Sequence, residues 1–244
     1  RPEIAEAYLN RSLVRHELGD FPGALADATA SIELNGPTRA WFVRARFRHS
    51  ISDATGAAED YQQGLAARPN DDLSWVARGT ARLPNDPQGA LADYEQALNN
   101  NPRCVSALQN LSHVLSEQLG RKEEAIDVLN QLIALAPDDA DAIAGRGVLL
   151  ARMKQLDAAE QDAKRLLSLQ PTPLQVYQAA CIYALLVDER PEFEALAVQL
   201  VADALRQQPG LISIAKMDTD IDNIRKSLTF QTSLDALEKL STVK

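Results

Sequence analysis

Apolar residues recur every three or four positions along most of this chain, which is the spacing of residues on one face of an α-helix. Runs of β-branched residues as long as a strand do not occur. Short segments that contain Gly, Pro, Asn or Asp interrupt the apolar pattern at regular intervals, and such segments end helices. The pattern therefore predicts an all-α chain of short helices.

Three series of residues repeat with one common step of about 34 positions. The first series consists of prolines that follow a helical stretch: Pro69, Pro102, Pro137, Pro171 and Pro209. The second consists of alanines: Ala24, Ala57, Ala90, Ala125 and Ala159. The third opens each repeat with an aromatic or apolar residue: Tyr8, Trp41, Trp75, Leu108, Ile143 and Tyr177. Each repeat is also interrupted near its middle, which predicts helix, turn, helix and a solenoid of stacked hairpins.

The segment "AYLNRSLVRHELGDFPGALADATASIELN" resembles a tetratricopeptide repeat, and "WVARGTARLPNDPQGALADYEQALNNNP" is similar to another. The resemblance implies a right-handed superhelical solenoid of about six such repeats, followed by a C-terminal helical cap. We expect the repeats at residues 5–37, 38–71, 72–103, 104–138, 139–172 and 173–209, and the cap at residues 210–244. The third repeat is one residue short in its turn, and the fourth is one residue long.

Arginine and aspartate occur together at two equivalent positions, one in each predicted helix of a repeat. The positions are occupied by Arg11 and Asp27, Arg44 and Asp60, Arg78 and Asp93, and Arg146 and Asp162. Where the first position is Leu111 or Ala180, the second is apolar as well. We therefore predict structural ion pairs across each hairpin, because a partly buried arginine without its carboxylate is costly. The alternative is a role for these arginines in binding a ligand.

In the family that the repeats resemble, the first helices line the concave groove of the superhelix. The resemblance therefore implies a protein–protein interaction scaffold that binds a partner segment in this groove. The matching positions are Leu9, Asn10, Leu13, His16, Arg39, Phe42, Arg46, His49, Val76, Thr80, Asn110 and His113.

The stretch "RAWFVRARFRHS" carries four arginines and no acidic residue, although the chain as a whole is acidic. We interpret it as a site for an acidic segment or a C-terminal carboxylate, centred on Arg39, Phe42 and Arg46. The competing interpretation is a solvated helix face that Glu59 and Asp60 balance.

The composition weighs against several other functions. The 244 residues include 25 basic and 34 acidic side chains, so a nucleic-acid partner, which needs clustered basic charge, is not expected. Cys104 and Cys181 lie far apart and outside any CxxC pattern, so neither a disulfide framework nor a zinc site is expected. "DTDIDN" at residues 218–223 imitates a calcium loop but lacks its glycine and its final glutamate. We expect no catalytic residue, no metal, no cofactor and no enzymatic activity.

The longest apolar run, residues 179–187, is about half as long as a membrane helix, and no signal sequence opens the chain. We therefore expect a cytoplasmic protein without membrane insertion. The chain begins with Arg1, and Pro2 stands where an earlier repeat would end, so we expect upstream repeats in a longer protein. The C-terminal third resembles the ends of repeat regions in bacterial multidomain proteins, some with a serine/threonine kinase domain. A regulatory or sensor module of such a protein is the alternative function.

Overall fold

The computed structural model describes the backbone of residues 2–241 and the side chains of residues 3–232, 234 and 235. All regular elements within residues 2–241 are helices, which confirms the predicted all-α class. The α-helices are α1 (Pro2–Glu17), α2 (Phe21–Glu33), α3 (Ala40–Ser50), α4 (Ala54–Ala66), α5 (Asp72–Arg82), α6 (Pro87–Asn100), α7 (Val105–His113), α8 (Lys122–Leu135), α9 (Ala140–Arg152), α10 (Leu156–Ser168), α11 (Pro173–Leu186), α12 (Glu194–Gln207), α13 (Ile212–Met217), α14 (Asp222–Arg225) and α15 (Leu228–Ser241). No helix among these residues is both long and apolar enough to span a bilayer.

The chain divides by its contacts into two compact units, Arg1–Gly120 and Arg121–Lys244. In the N-terminal unit α1 packs on α2, α3 on α4 and α5 on α6, so that each pair forms a helical hairpin. In the C-terminal unit α9 packs on α10 and α11 on α12, and α15 lies against α12. The boundaries of six repeats and of a cap at residues 210–244 stay predictions.

The hairpins α1–α2, α3–α4 and α9–α10 turn in the same way, and the turn between α5 and α6 differs where the sequence is one residue short. Gly19, Ser52 and Lys154 adopt left-handed φ angles of 81°, 65° and 60°, each directly before the residue that caps the next helix. The cap residue then donates its N–H to a carbonyl five residues back, as Asp53 does to Arg48. In the turn between α5 and α6 no left-handed residue is present among those described, and the corresponding bond spans four residues. The turn between α5 and α6 is therefore shorter by the left-handed residue, and the two helices still form a hairpin.

The extra residue of the fourth repeat is accommodated inside a helix. After α7 the chain continues as a single π-helical turn at Val114–Gln118. A π turn results when one residue is inserted into an α-helix, because the hydrogen bonds then span five residues rather than four. Val114 and Leu115 of this turn are nevertheless buried in the core.

The repeated alanines mark where neighbouring helices approach each other closely. Ala24, Ala90, Ala125 and Ala159 are fully buried, whereas Ala57 on α4 is only partly buried. At this position the second hairpin is therefore less tightly packed than the four helices with a fully buried alanine, and it carries the arginine-rich helix α3.

Candidate functional site

The structure brings the predicted arginine and aspartate positions together in each of the four hairpins that carry them. Every arginine donates hydrogen bonds from Nε and Nη2 to the two oxygens of one carboxylate, at 2.6–2.9 Å. The pairs are Arg11–Asp27, Arg44–Asp60, Arg78–Asp93 and Arg146–Asp162. All four aspartates are buried, so these side chains belong to the architecture of the hairpins.

Three of these arginines also join their own hairpin to the one before it. Nη1 of Arg44 donates to Thr29 on α2 at 3.0 Å, and Nη1 of Arg78 donates to the carbonyl of Ala67 after α4 at 3.3 Å. Nη1 of Arg146 likewise donates to Asn130 on α8 at 2.8 Å. The arginine of a repeat is therefore bonded within its own hairpin and to the preceding one.

A second arginine, one helical turn later, contacts the same carboxylate in the first three hairpins. Arg15 lies 3.0 Å from Asp27, Arg48 lies 3.3 Å from Asp60, and Arg82 lies 3.2 Å from Asp93. These equivalent arginines are thus held within their hairpins beside the buried aspartates.

The arginine cluster of α3 is largely occupied by internal partners. Arg39 donates to Asp71 at 2.9 Å and also to Glu6, and its side chain is only 15% exposed. This corrects the expectation that Arg39 is available to a partner, because acidic residues of both neighbouring hairpins already bind it. Arg46 is exposed, with its guanidinium 5.5 Å from the ring centre of Phe47, and no acidic side chain among the described residues pairs with it.

Two other residues predicted to line the groove are in the core. Leu9 is 1% exposed and Val76 is buried, so neither can contact a partner. The prediction assigned these two residues to the wrong face of their helices, because the groove-facing and core-facing positions of a packed helix are neighbours in the sequence. His16 is half-buried, stacks on Phe47 with ring centres 4.5 Å apart, and lies 3.0 Å from the hydroxyl of Ser50.

The remaining predicted groove residues reach the surface to different degrees. Asn10, Arg46, His49, Thr80 and His113 are exposed, while Leu13, Phe42 and Asn110 are half-buried.

A cleft of about 680 Å³ lies between α3, α4 and α5, and it gathers four of the predicted residues. These four are Phe42, Arg46, His49 and Thr80. Alanines form most of the rest of its wall: Ala45, Ala54, Ala57, Ala58, Ala77 and Ala81. The site therefore combines an apolar wall with the guanidinium of Arg46, for which the described residues supply no acidic partner.

The ring of Phe42 is held in place on one side of this cleft. Its edge faces Tyr61, with ring centres 5.6 Å apart, and its tip lies over Gly64, where an added Cβ would come within 2.7 Å of the ring. The hydroxyl of Tyr61 donates to the carbonyl of Ala81 on α5. These contacts link all three helices around the cleft through side chains that line it.

Comparison with known proteins identifies the family. Models of the tetratricopeptide repeat match residues 9–72 and 81–146, which together make up more than half of the chain. The chain belongs to the tetratricopeptide repeat family. Tetratricopeptide repeat proteins are in general scaffolds for protein–protein interaction, so a scaffold role of this general kind follows. No curated protein matches the sequence significantly.

Solved structures of other tetratricopeptide repeat proteins share the fold. The pilF protein of Pseudomonas aeruginosa matches with a TM-score of 0.66 and 15% identity, over 99% of this chain and 98% of that one. PilW, a type IV pilus biogenesis factor, matches with a TM-score of 0.60 and 17% identity, over 92% and 99%. YrrB, which has an unusual peptide-binding site, matches with a TM-score of 0.52 and 19% identity, over 69% and 87%. At these identities the likeness shows the fold alone.

In the C-terminal unit of this tetratricopeptide repeat protein, Cys181, Asp218 and Asp220 place possible ligand atoms within 4.8 Å of one another. Arg152 donates to both oxygens of Asp220 at 2.9 and 2.8 Å, and Tyr177 donates to Asp218 at 3.0 Å. Burial, and then the charge of Asp218, raises the pKa of the Cys181 thiol well above its ordinary value. The segment "DTDIDN" is thus anchored on α9 and α11 by internal bonds.

Proposed function

We propose that the N-terminal unit binds a segment of another protein that carries a carboxylate, and that the cleft between α3, α4 and α5 is the centre of this site. The observation that carries the proposal is Arg46, an exposed cation that no acidic side chain in the described part of the chain pairs with, beside an open apolar wall. Arg39, Arg44 and Arg48 of the same stretch are held by internal carboxylates. Their charge is therefore neutralised within the protein, whereas the charge of Arg46 is accessible.

The charge of the chain as a whole favours selectivity at this site. The formal net charge is −9, so an acidic segment is repelled by most of the surface and attracted where a cation is free. The scaffold role of the family and the peptide-binding site of YrrB support a peptide segment as the ligand.

The test measures binding of labelled aspartate-rich peptides by fluorescence anisotropy to the full chain and to Arg46→Glu. Reversing this charge places an acid against the carboxylate, so we expect the affinity to fall about tenfold or more. Arg103→Glu is the matched control, because Arg103 is exposed but lies outside the cleft, and we expect it to bind like the wild type. Equal affinities of the wild type and Arg46→Glu would refute the proposal.

The sequence alternative is a regulatory or sensor module of a larger protein, such as a serine/threonine kinase. We infer that the cleft serves the same purpose in that setting, with the bound segment supplied by another domain. The absence of catalysis and a cytoplasmic location are likewise inferences from the sequence and from the general role of the family.

A further inference from the structure

We propose that the cleft between α3, α4 and α5 holds an aromatic side chain of the bound segment, next to the carboxylate that Arg46 receives. The inference rests on the proposed function and specifies the chemistry of the partner. It comes from comparing this cleft with the equivalent space between the first and second hairpins.

The cleft exists because three large side chains are replaced by alanine. Between the first two hairpins, the equivalent positions on α2 and α3 are Phe21, Leu25 and Phe47. Around the cleft, the same positions on α4 and α5 are Ala54, Ala58 and Ala81. Phe47 is fully buried in the first space, whereas the second remains open. The cleft therefore has room where its counterpart holds an aromatic ring.

His49 favours an aromatic side chain over an aliphatic one. It occupies the position on α3 that His16 occupies on α1, and it lines the cleft. His16 stacks on Phe47 with ring centres 4.5 Å apart and an angle of 16° between the rings. Ala81 stands at the position equivalent to Phe47, so His49 lacks the corresponding ring. A ring supplied by the partner would take that place and stack on the imidazole.

The neighbouring side chains keep this space open. Phe42 is held between Tyr61 and Gly64, and the Tyr61 hydroxyl is bonded to the Ala81 carbonyl, so both aromatic residues of the wall have other contacts. Alanine side chains have no rotamers with which to fill the volume. A volume of about 680 Å³ lies within the usual range of ligand pockets, roughly 300–1,000 Å³. Because Arg46 lines the same cleft, the carboxylate of the partner that it binds would lie near the ring of the partner.

The experiment uses a panel of aspartate-rich peptides, each with one phenylalanine at a different position, and the same panel with alanine in its place. Wild type should bind the best phenylalanine peptide at least about tenfold more tightly than its alanine counterpart, because the ring is buried on binding. In Ala81→Phe the protein supplies the ring itself, so this preference should disappear. The thermal melt of Ala81→Phe, expected at or above that of wild type, checks that the fold is intact.

His49→Ala is the second variant, and it does not depend on filling the cleft. It should reduce the preference for phenylalanine, because the imidazole on which the ring stacks is removed. Arg46→Glu should weaken the binding of both peptides equally and keep the preference for phenylalanine. This result separates the contribution of the ring to affinity from that of the carboxylate.

Equal binding of the phenylalanine and alanine peptides to wild type, with Arg46 still required, would overturn the aromatic site and leave the proposed function standing. No binding of either panel would overturn both. A concentration-dependent dimer of the wild type that Ala81→Phe abolishes would also overturn the inference, because a second copy of this chain would then occupy the cleft.

Discussion

Arg78 donates two hydrogen bonds to Asp93, from Nε at 2.9 Å and from Nη2 at 2.7 Å, and the aspartate is 2% exposed. The guanidinium also lies 4.7 Å from the ring centre of Trp75, one turn earlier on α5. The same arrangement recurs at Arg44 over Trp41 and at Arg11 over Tyr8. The repeated aromatic residue and the repeated arginine are therefore parts of one structural element, in which an ion pair is covered by a ring.

Asp93→Ala should destabilise the protein by about 3 kcal/mol or more, because it leaves Arg78 partly buried without its carboxylate. Urea denaturation measures the change. Asp27→Ala is the comparison, since the side chain of Arg11 is 54% exposed and that of Arg78 only 13%. Water can solvate Arg11 after the substitution, so the loss should be smaller. Equal losses would show that burial of the arginine does not set the cost.

Arg44→Lys should also destabilise the protein, by about 1–3 kcal/mol, although the charge is kept. The planar guanidinium reaches both oxygens of Asp60 and the hydroxyl of Thr29, and a single ammonium cannot reproduce this fork. Thermal unfolding measures the effect, with Arg103→Lys on the surface as the control. A melting temperature unchanged from wild type would mean that charge alone suffices at this position.

Asp27→Asn should cost stability at neutral pH, and the cost should shrink as the pH falls below about 4. Hydrogen bonds from Arg11, and then its charge and that of Arg15, hold the pKa of Asp27 below its ordinary value, although burial opposes this. A lowered pKa in the folded state means that the carboxylate stabilises the fold above the unfolded pKa and stops doing so as it is protonated. Melting temperatures of both proteins at pH 7, 5 and 3 test the prediction. A difference that stays constant down to pH 3 would contradict it.

Two glycines should respond in opposite directions to substitution by alanine. A Cβ on Gly79 would lie 2.6 Å from the ring of Tyr94, which is fully buried, so Gly79→Ala should destabilise by about 1–3 kcal/mol. A Cβ on Gly145 in α9 would meet only Leu129, at 3.8 Å. Gly145→Ala should therefore stabilise by up to about 1 kcal/mol through helix propensity. Chemical denaturation of the two variants provides the comparison, and a loss at both sites would refute this account.

The features that the sequence predicts well are those that repeat. The pairing of Arg44 with Asp60 could be inferred because the two residue types occur together in four repeats and are both missing where one is missing. The extra residue of the fourth repeat was also visible in the spacing, but its absorption as a π turn at Val114–Gln118 depends on core packing. The spacing gives the length of a segment but not the position at which an extra residue is accommodated.

The candidate site was predicted less well because it depends on contacts between repeats. The sequence around Arg39 predicts a free side chain, because its partners, Glu6 and Asp71, lie more than thirty residues away on either side. The cleft itself was missed, although the signal was present: Phe47 and Ala81 occupy the same position in successive repeats. Repeated residues reveal what successive repeats share, whereas this cleft forms where a large side chain of one repeat is alanine in the next.

The bond from Arg44 to the preceding hairpin couples the two hairpins. If the hairpin α1–α2 opens, Arg44 loses Thr29, and the hairpin that follows is weakened. If α3–α4 opens instead, α1–α2 keeps its own Arg11–Asp27 pair. It loses the bond to the half-buried Thr29 hydroxyl, the ring on which His16 stacks and the contact of Glu6 with Arg39. Opening of either hairpin therefore weakens the other, so local opening in this part of the N-terminal unit should be cooperative and not confined to one hairpin.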